Sequence, residues 1–390
     1  MIRCNSHNLI ETNELIKVVQ DMIRIPSVVP PGAEKQVVEY VIGYMEANGI
    51  KTNIQEVLPE RCNVVARLKG KGISTPIMFT GHMDVVPVEG EERKYWNTEP
   101  FSGELNNGYI YGRGASDMKG GLGAVMVAMA TLAKNKIQPP GDIILAATVD
   151  EEGMMLGSKA LVKSNLISDA SRIIVCEPTN MELVTACKGR TWAEVTVEGR
   201  AAHASKQGAG INAIDRAVIL AKKINNYRVP HQPHDILGNS FWQNTLINGG
   251  LGHAIIPDKC TITVDARLVP GQMPDDIWGE MEKLISEIKE EINGFEAVIN
   301  VIERREPWDT SHDDKLVKVI SGAYDCLNIP LLYGGFSGTT DGTIFRRNGI
   351  DAVIIGPGDI ACAHKENEKV SIEQLTQAAQ IYILTMMLWV

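Results

Sequence analysis

The chain has no CxxC pair, no excess of basic residues and no apolar run long enough to span a bilayer. Each absence removes a class of protein. Its seven cysteines, Cys4, Cys62, Cys176, Cys187, Cys260, Cys326 and Cys362, are scattered and odd in number. That speaks against a disulfide framework or a cysteine-ligated zinc site and points to a reducing compartment. A formal charge of -10 argues against a nucleic-acid or anionic-membrane partner, either of which calls for a basic surface, and favours a small molecule or another protein. The stretch MIRCNSHNLIETNELIKVV lacks the apolar core of a signal peptide, so a cytoplasmic location is expected. The apolar IYILTMMLWV falls well short of the roughly 20 residues of a membrane span and reads as a buried terminal helix. Repeats and low-complexity tracts are absent. The glycines of KGGLGA do not complete a dinucleotide fingerprint, and tight helix packing explains them better.

What is present suggests two domains, or one large domain carrying an insertion, because 390 residues exceed one ordinary core. Helical apolar spacing covers Thr12 to Arg24 and Glu34 to Asn48, with Gly49 placed to stop the second. Short apolar runs at Asn63 to Leu68, Pro76 to Thr80, Ile143 to Val149 and Arg172 to Cys176 read as strands. Between them Gly120 to Lys134 reads as a buried helix, with Met126 and Met129 as core filler. This alternation predicts an α/β domain with a mostly parallel central sheet flanked by helices.

From about Leu183 the pattern changes to strand Thr191 to Val197, helix Asn212 to Ile224, strands Gln243 to Ile247 and Cys260 to Leu268, helix Asp275 to Ile292 and strand Phe295 to Ile302. That order, βαββαβ, predicts a ferredoxin-like α+β unit interrupting the first domain. The α/β pattern resumes with a helix near Lys315 to Asp325 and a strand at Ala352 to Ile355. The expected division is therefore 1-182 and 304-390 for the interrupted domain and 183-303 for the insert.

The chemistry-bearing residues fall at equivalent places. His82 follows the strand ending at Thr80, Glu151 and Glu152 follow the strand ending at Val149, Glu177 follows Cys176, and His364 lies after Ala352 to Ile355. In open α/β sheets the carboxyl ends of the strands line the ligand crevice, so these five groups converge. Asp117, in YGRGASDMKGG, joins them from the start of the buried helix. So many carboxylates in one crevice repel one another unless cations lie between them. A mixed imidazole and carboxylate set suits zinc, with cobalt or manganese as substitutes, and two ions sharing a carboxylate are a recurring hydrolytic arrangement.

GHMDVVP, GRGASDMKGG, VDEEG, CEPT, GRAAHAS, VDARLVPG and the late GPG…AHKENE, in this order over nearly the whole chain, resemble the metal-dependent amidohydrolases that include acetylornithine deacetylase, succinyl-diaminopimelate desuccinylase and carboxypeptidase G. The resemblance implies that His82, Asp117 and Glu177 hold one metal and that Asp117, Glu152 and His364 hold the other, with Asp117 as the bridge. It makes Glu151 the general base, and places Asp84 behind His82 as acceptor of its other ring N–H. It also implies a cis peptide after Asp84, at Val85. The insert would be a lid and dimerisation domain whose His203 reaches into the partner subunit's site to help hold the oxyanion. Arg267, Gly338 and Thr339 match positions that bind the substrate's carboxylate end. In GGLGHAIIP the chain departs from the pattern, with His253 and Ala254 where relatives often have Asn, and His253 could still donate to an oxyanion or carboxylate.

Taken singly, His82 reads as a structural histidine, Glu151 and Glu152 as a solvated acidic turn, His203 as a turn residue capping the helix that starts near Gly210, and Arg267 as the partner of a sheet-face carboxylate. Taken together, the strand-end groups favour the metal site. The function expected is removal of an acyl group from an N-acyl amino acid by a dimeric dinuclear-metal hydrolase. A dipeptidase or carboxypeptidase G-like exopeptidase is the alternative, and a non-catalytic metabolite-binding relative the distant one.

Overall fold

The computed structural model describes residues 6–206 and 208–390; Cys4 lies outside them. The chain divides into two compact units. The first comprises Met1–Thr185, Thr310–Gly334 and Thr340–Val390, and the second Ala186–Asp309 with Gly335–Thr339. These boundaries differ from the expected 182/183 and 303/304. Thr310 N donates to Thr185 O at 2.7 Å in the first unit. In the second, the last strand stays paired as far as Arg305 opposite Arg190.

In the first unit the strands β1 (Lys51–Leu58), β2 (Arg61–Leu68), β3 (Ile77–His82), β4 (Ile143–Thr148), β5 (Arg172–Val175), β6 (Leu183–Cys187) and β7 (Asp351–Ile354) lie in the order β1-β2-β4-β3-β5-β7-β6. The four central strands are parallel and the flanking pairs antiparallel. β3 and β4 are buried at every residue, as befits strands covered on both faces. β1 has no buried residue and carries no apolar run for the sequence to show. His82 pairs with Thr148, so the loops after β3 and β4 leave the sheet side by side.

The helix Gly120–Lys134 is buried over its first thirteen residues. A Cβ on Gly121 would lie 1.9 Å from Cys176 O, and one on Gly123 2.7 Å from Val19 Cγ2. These glycines therefore admit a close approach of helix to strand end and helix to helix. Thr12–Ile23 and Ile372–Leu388 join the same core, and Ile381 to Leu384 are all buried. Lys35–Ala47 ends at Gly49, whose φ of +73° suits glycine. Among the described residues no helix is long and apolar enough to cross a membrane.

In the second unit the strands run, across the sheet, Phe241–Gly249, Lys259–Leu268, Gly189–Glu198 and Glu296–Arg305, all antiparallel. With helices Ala213–Asn226 and Pro274–Glu291 this is the βαββαβ order of a ferredoxin-like sandwich. Its core gathers Trp242, Trp278, Leu220, Ile262 and Phe295. A short ladder of Ala202–His203 on Ile255–Ile256 lies beside it in sequence.

Candidate metal centre

The carboxyl ends of the parallel strands carry the expected cluster. His82, the last residue of β3, is 1% exposed. Its Nδ1 lies 2.9 Å from Asp84 O; a carbonyl only accepts, so Nδ1 donates there and Nε2 is the nitrogen turned towards the carboxylates. Nε2 faces Asp117 Oδ1 at 3.0 Å and Glu177 Oε1 at 3.7 Å. His364 Nε2 faces Asp117 Oδ2 at 3.2 Å and Glu152 Oε1 at 3.0 Å. Asp117 thus offers one carboxylate oxygen to each imidazole. His82, Glu151 and Glu177 each bring a ligand atom within 4.8 Å of the others, as do His82, Asp117 and Glu152. Glu151 therefore stands among the ligand atoms as well as next to one in sequence.

Electrostatics follow this geometry. Burial opposes charge on His82, but the hydrogen bond to Asp117 and the charges of Glu177 and Asp84 outweigh it and raise its pKa well above the usual imidazole value. Hydrogen bonds to Asp117 and Glu152 push His364 up to about 10. Burial would raise Asp117, yet the bonds from His364 and His82 hold it far below the usual carboxylate range. Glu177 is pushed well up, by burial and then by Asp117. The donor set fits divalent cations: two imidazoles and several carboxylates meet in a crevice where, without positive charge between them, some carboxylates are forced to keep their protons.

Two expectations need correction. The Asp84 carboxylate is not the acceptor for His82, since Oδ1 lies 3.7 Å from Nδ1 and the backbone carbonyl takes the bond instead. It accepts the N–H groups of Glu151 at 3.2 Å and Glu152 at 3.0 Å, and so holds the β4 loop. Burial raises its pKa to about 7. The non-proline cis peptide joins Asp117 to Met118, not Asp84 to Val85. Val85 N donates to Ser27 O, and Val29 N to Val85 O, which keeps Val85 in a strand-like bridge with Val28.

Several buried groups around the cluster escape sequence reasoning. Arg61 donates to both oxygens of Glu34 and, through Nη2, to Asp150 Oδ1 at 2.8 Å, directly before Glu151. Asp150 adopts a φ of +67° and accepts from Met154 N. Glu368, fully buried, accepts from Ser116 N and Asp117 N. The signal for Glu368 is its place two residues before buried Val370, in step with the strand Lys369–Ser371, whereas Glu366 is exposed.

The remaining candidates lie in the second unit. His203 is exposed, and its Nδ1 accepts from Ser205 N at 3.2 Å, which puts the proton of the neutral ring on Nε2. His253 is exposed in the turn after Gly252, where Ala254 O accepts from Ala204 N at 2.9 Å. Arg267 forms a two-pronged pair with Asp265 at 2.9 and 3.0 Å. Gly338 O accepts from the Cys187 thiol and Thr339 Oγ1 from Arg305 Nη1.

Fold and crevice together define a metal-dependent amide hydrolase. Residues 78–388 match the peptidase family M20/M25/M40, to which the chain belongs. It is 26% identical over 404 residues to a probable succinyl-diaminopimelate desuccinylase of Staphylococcus epidermidis, covering 96% of this chain and 97% of that protein. It is 29% identical over 354 residues to an acetylornithine deacetylase of Myxococcus xanthus, covering 88% of this chain and 89% of the other. Its fold is similar to that of aminopeptidase PepT from Bacillus cereus, with a TM-score of 0.80 and 20% identity over 97% of this chain and 99% of the other.

Proposed function

We propose that the chain removes the acyl group from an N-acyl amino acid, with His82, Asp117 and Glu177 holding one divalent ion and Asp117, Glu152 and His364 a second. The observation that carries this reading is Asp117, whose two oxygens face His82 and His364 separately. Zinc suits the nitrogen and oxygen donors best, with cobalt or manganese as substitutes. When bound, such ions supply Lewis-acid activation of a water and of the amide carbonyl. Glu151 takes the proton of the attacking water and passes it to the leaving nitrogen as the C–N bond breaks, leaving a carboxylic acid and a free amine. Asp84 steadies this base through the N–H groups of Glu151 and Glu152.

The second unit supplies binding and oxyanion groups. His203 Nε2–H is a donor suited to an oxyanion and acts in the partner subunit's site. A homodimer is supported by the apolar residues that strand Phe241–Gly249 leaves exposed, among them Leu246 and Ile247, at 61% and 51%. Arg267, Gly338, Thr339 and His253 bind the carboxylate end of the substrate. The scattered free cysteines suit the cytoplasm.

The acyl-group reading draws on the names of the desuccinylase and deacetylase relatives. The similarity in fold to an aminopeptidase keeps a dipeptidase as second reading. Glu151→Gln tests the mechanism. It should leave metal content and fold intact while lowering turnover by about 10² to 10⁴. Near-wild-type turnover would remove Glu151 from the chemistry. Assay of the zinc- or cobalt-loaded protein on acetylornithine, succinyl-diaminopimelate and dipeptides then separates the substrate classes.

A further inference from the structure

We infer that Glu368 is a positioning residue that sets Asp117 between the two imidazoles. The inference rests on the metal-centre reading above. Glu368 Oε1 accepts two backbone N–H groups, from Ser116 and from Asp117, each at 3.0 Å. Its Oε2 accepts from Arg113 Nη1 at 2.9 Å. Arg113, 1% exposed, is itself anchored by Lys365 O at 3.1 Å and Glu92 Oε1 at 2.5 Å. Three donors therefore fix a fully buried carboxylate, and charge-assisted bonds of this kind are about twice as strong as neutral ones.

The grip falls where the backbone departs from regular helix geometry. Asp117 has non-helical backbone angles, φ -118° and ψ 93°, within a segment that leads into the helix Gly120–Lys134. No regular ladder fixes its carboxylate. The neighbouring segments are zipped instead: Lys369–Ser371 pairs with Tyr109–Tyr111, Gly112 N donates to Glu368 O, and Ser116 Oγ donates to Lys369 O. One stretch of five residues, 364–368, thus holds Asp117 twice, through the His364 ring on its carboxylate and through Glu368 on its main chain. Moving Glu368 would shift Asp117 relative to His82 and His364 together. Partners that orient ligands from behind are typically worth about 10 to 100-fold in metal affinity.

The test titrates wild-type protein, Glu368→Gln and Glu368→Asp with zinc against a competing chelator, well below the unfolding temperature of each metal-free protein. Glu368→Gln removes the charge that binds the three donors, and Glu368→Asp keeps the charge but shortens its reach. Both should lose about 10 to 100-fold in affinity at both binding steps, because Asp117 is shared. The visible bands of the cobalt-loaded variants should shift, and kcat should fall more than KM rises. Should Glu368→Gln fail to fold, Glu368→Asp carries the same comparison by itself. A folded variant with lower thermal stability but wild-type affinity and cobalt bands would make Glu368 a structural residue and overturn the inference. Wild-type protein that takes up no zinc would overturn the metal-centre reading itself, a different result from wild type and variants binding alike.

Discussion

In the first unit the candidate groups hold one another: His82, Asp117, Glu152 and His364 form a continuous chain of contacts at 3.0 to 3.2 Å. The residues behind them, Asp84, Glu34 and Glu368, are fully buried. In the second unit no such chain of contacts joins the candidates' side chains among the described residues. His203 and His253 are exposed, and Arg267 is already paired with Asp265. The first arrangement is held by its own contacts, and the second is not. The loss of a metal-holding group should accordingly lower both turnover and metal uptake in the first unit, whereas the loss of a second-unit group should alter oxyanion or substrate binding with metal content unchanged.

The sharpest challenge to that contrast is His203→Ala. If its ring completes the partner's oxyanion site, turnover should fall by about 10² to 10³ with metal content unchanged. Mixing with Glu151→Ala chains should then restore some activity, since one site of a hybrid dimer has both groups intact. With subunit exchange shown by mixed-tag pull-down, a mixture as inactive as its parents would confine His203 to its own chain. Next in size is Arg267→Met, for which KM should rise about tenfold to a hundredfold with kcat little altered, the worth of one charged hydrogen bond. The Arg267→Met, Asp265→Asn double variant should show the same loss, which separates substrate binding from the buried Asp265 left unpaired. A fall in kcat alone would place Arg267 in the chemistry instead. The smallest effect belongs to Asn212→Ala. Asn212 Oδ1 caps the helix Ala213–Asn226 through Ile214 N at 2.9 Å. Urea unfolding should show a loss of about 1 kcal/mol, with zinc uptake unchanged; altered uptake would mean that the second unit shapes the metal centre.

The sequence made the first unit's centre readable because each ligand follows an apolar strand or opens an apolar helix, so period and position give its direction without any contact being known. The same reasoning failed where direction depends on distant atoms. Nothing near Asp84 shows that its carboxylate serves Glu151 and Glu152 while its carbonyl serves His82. Nothing in GRGASDMKGG locates the cis bond after Asp117. Arg61 and Glu34, 27 positions apart, look like surface charges until folding buries them together. In the second unit βαββαβ was legible from its apolar spacing, but the pairing of Arg267 with Asp265 needs only two residues on one strand face, a pattern too common to carry function by itself.

Diffraction from zinc-loaded crystals at the zinc absorption edge tests the central claim most directly. The account predicts two anomalous peaks per chain flanking the Asp117 carboxylate, one beside His82 and one beside His364, roughly 3.5 to 4 Å apart. A single peak, or none touching Asp117, would contradict it.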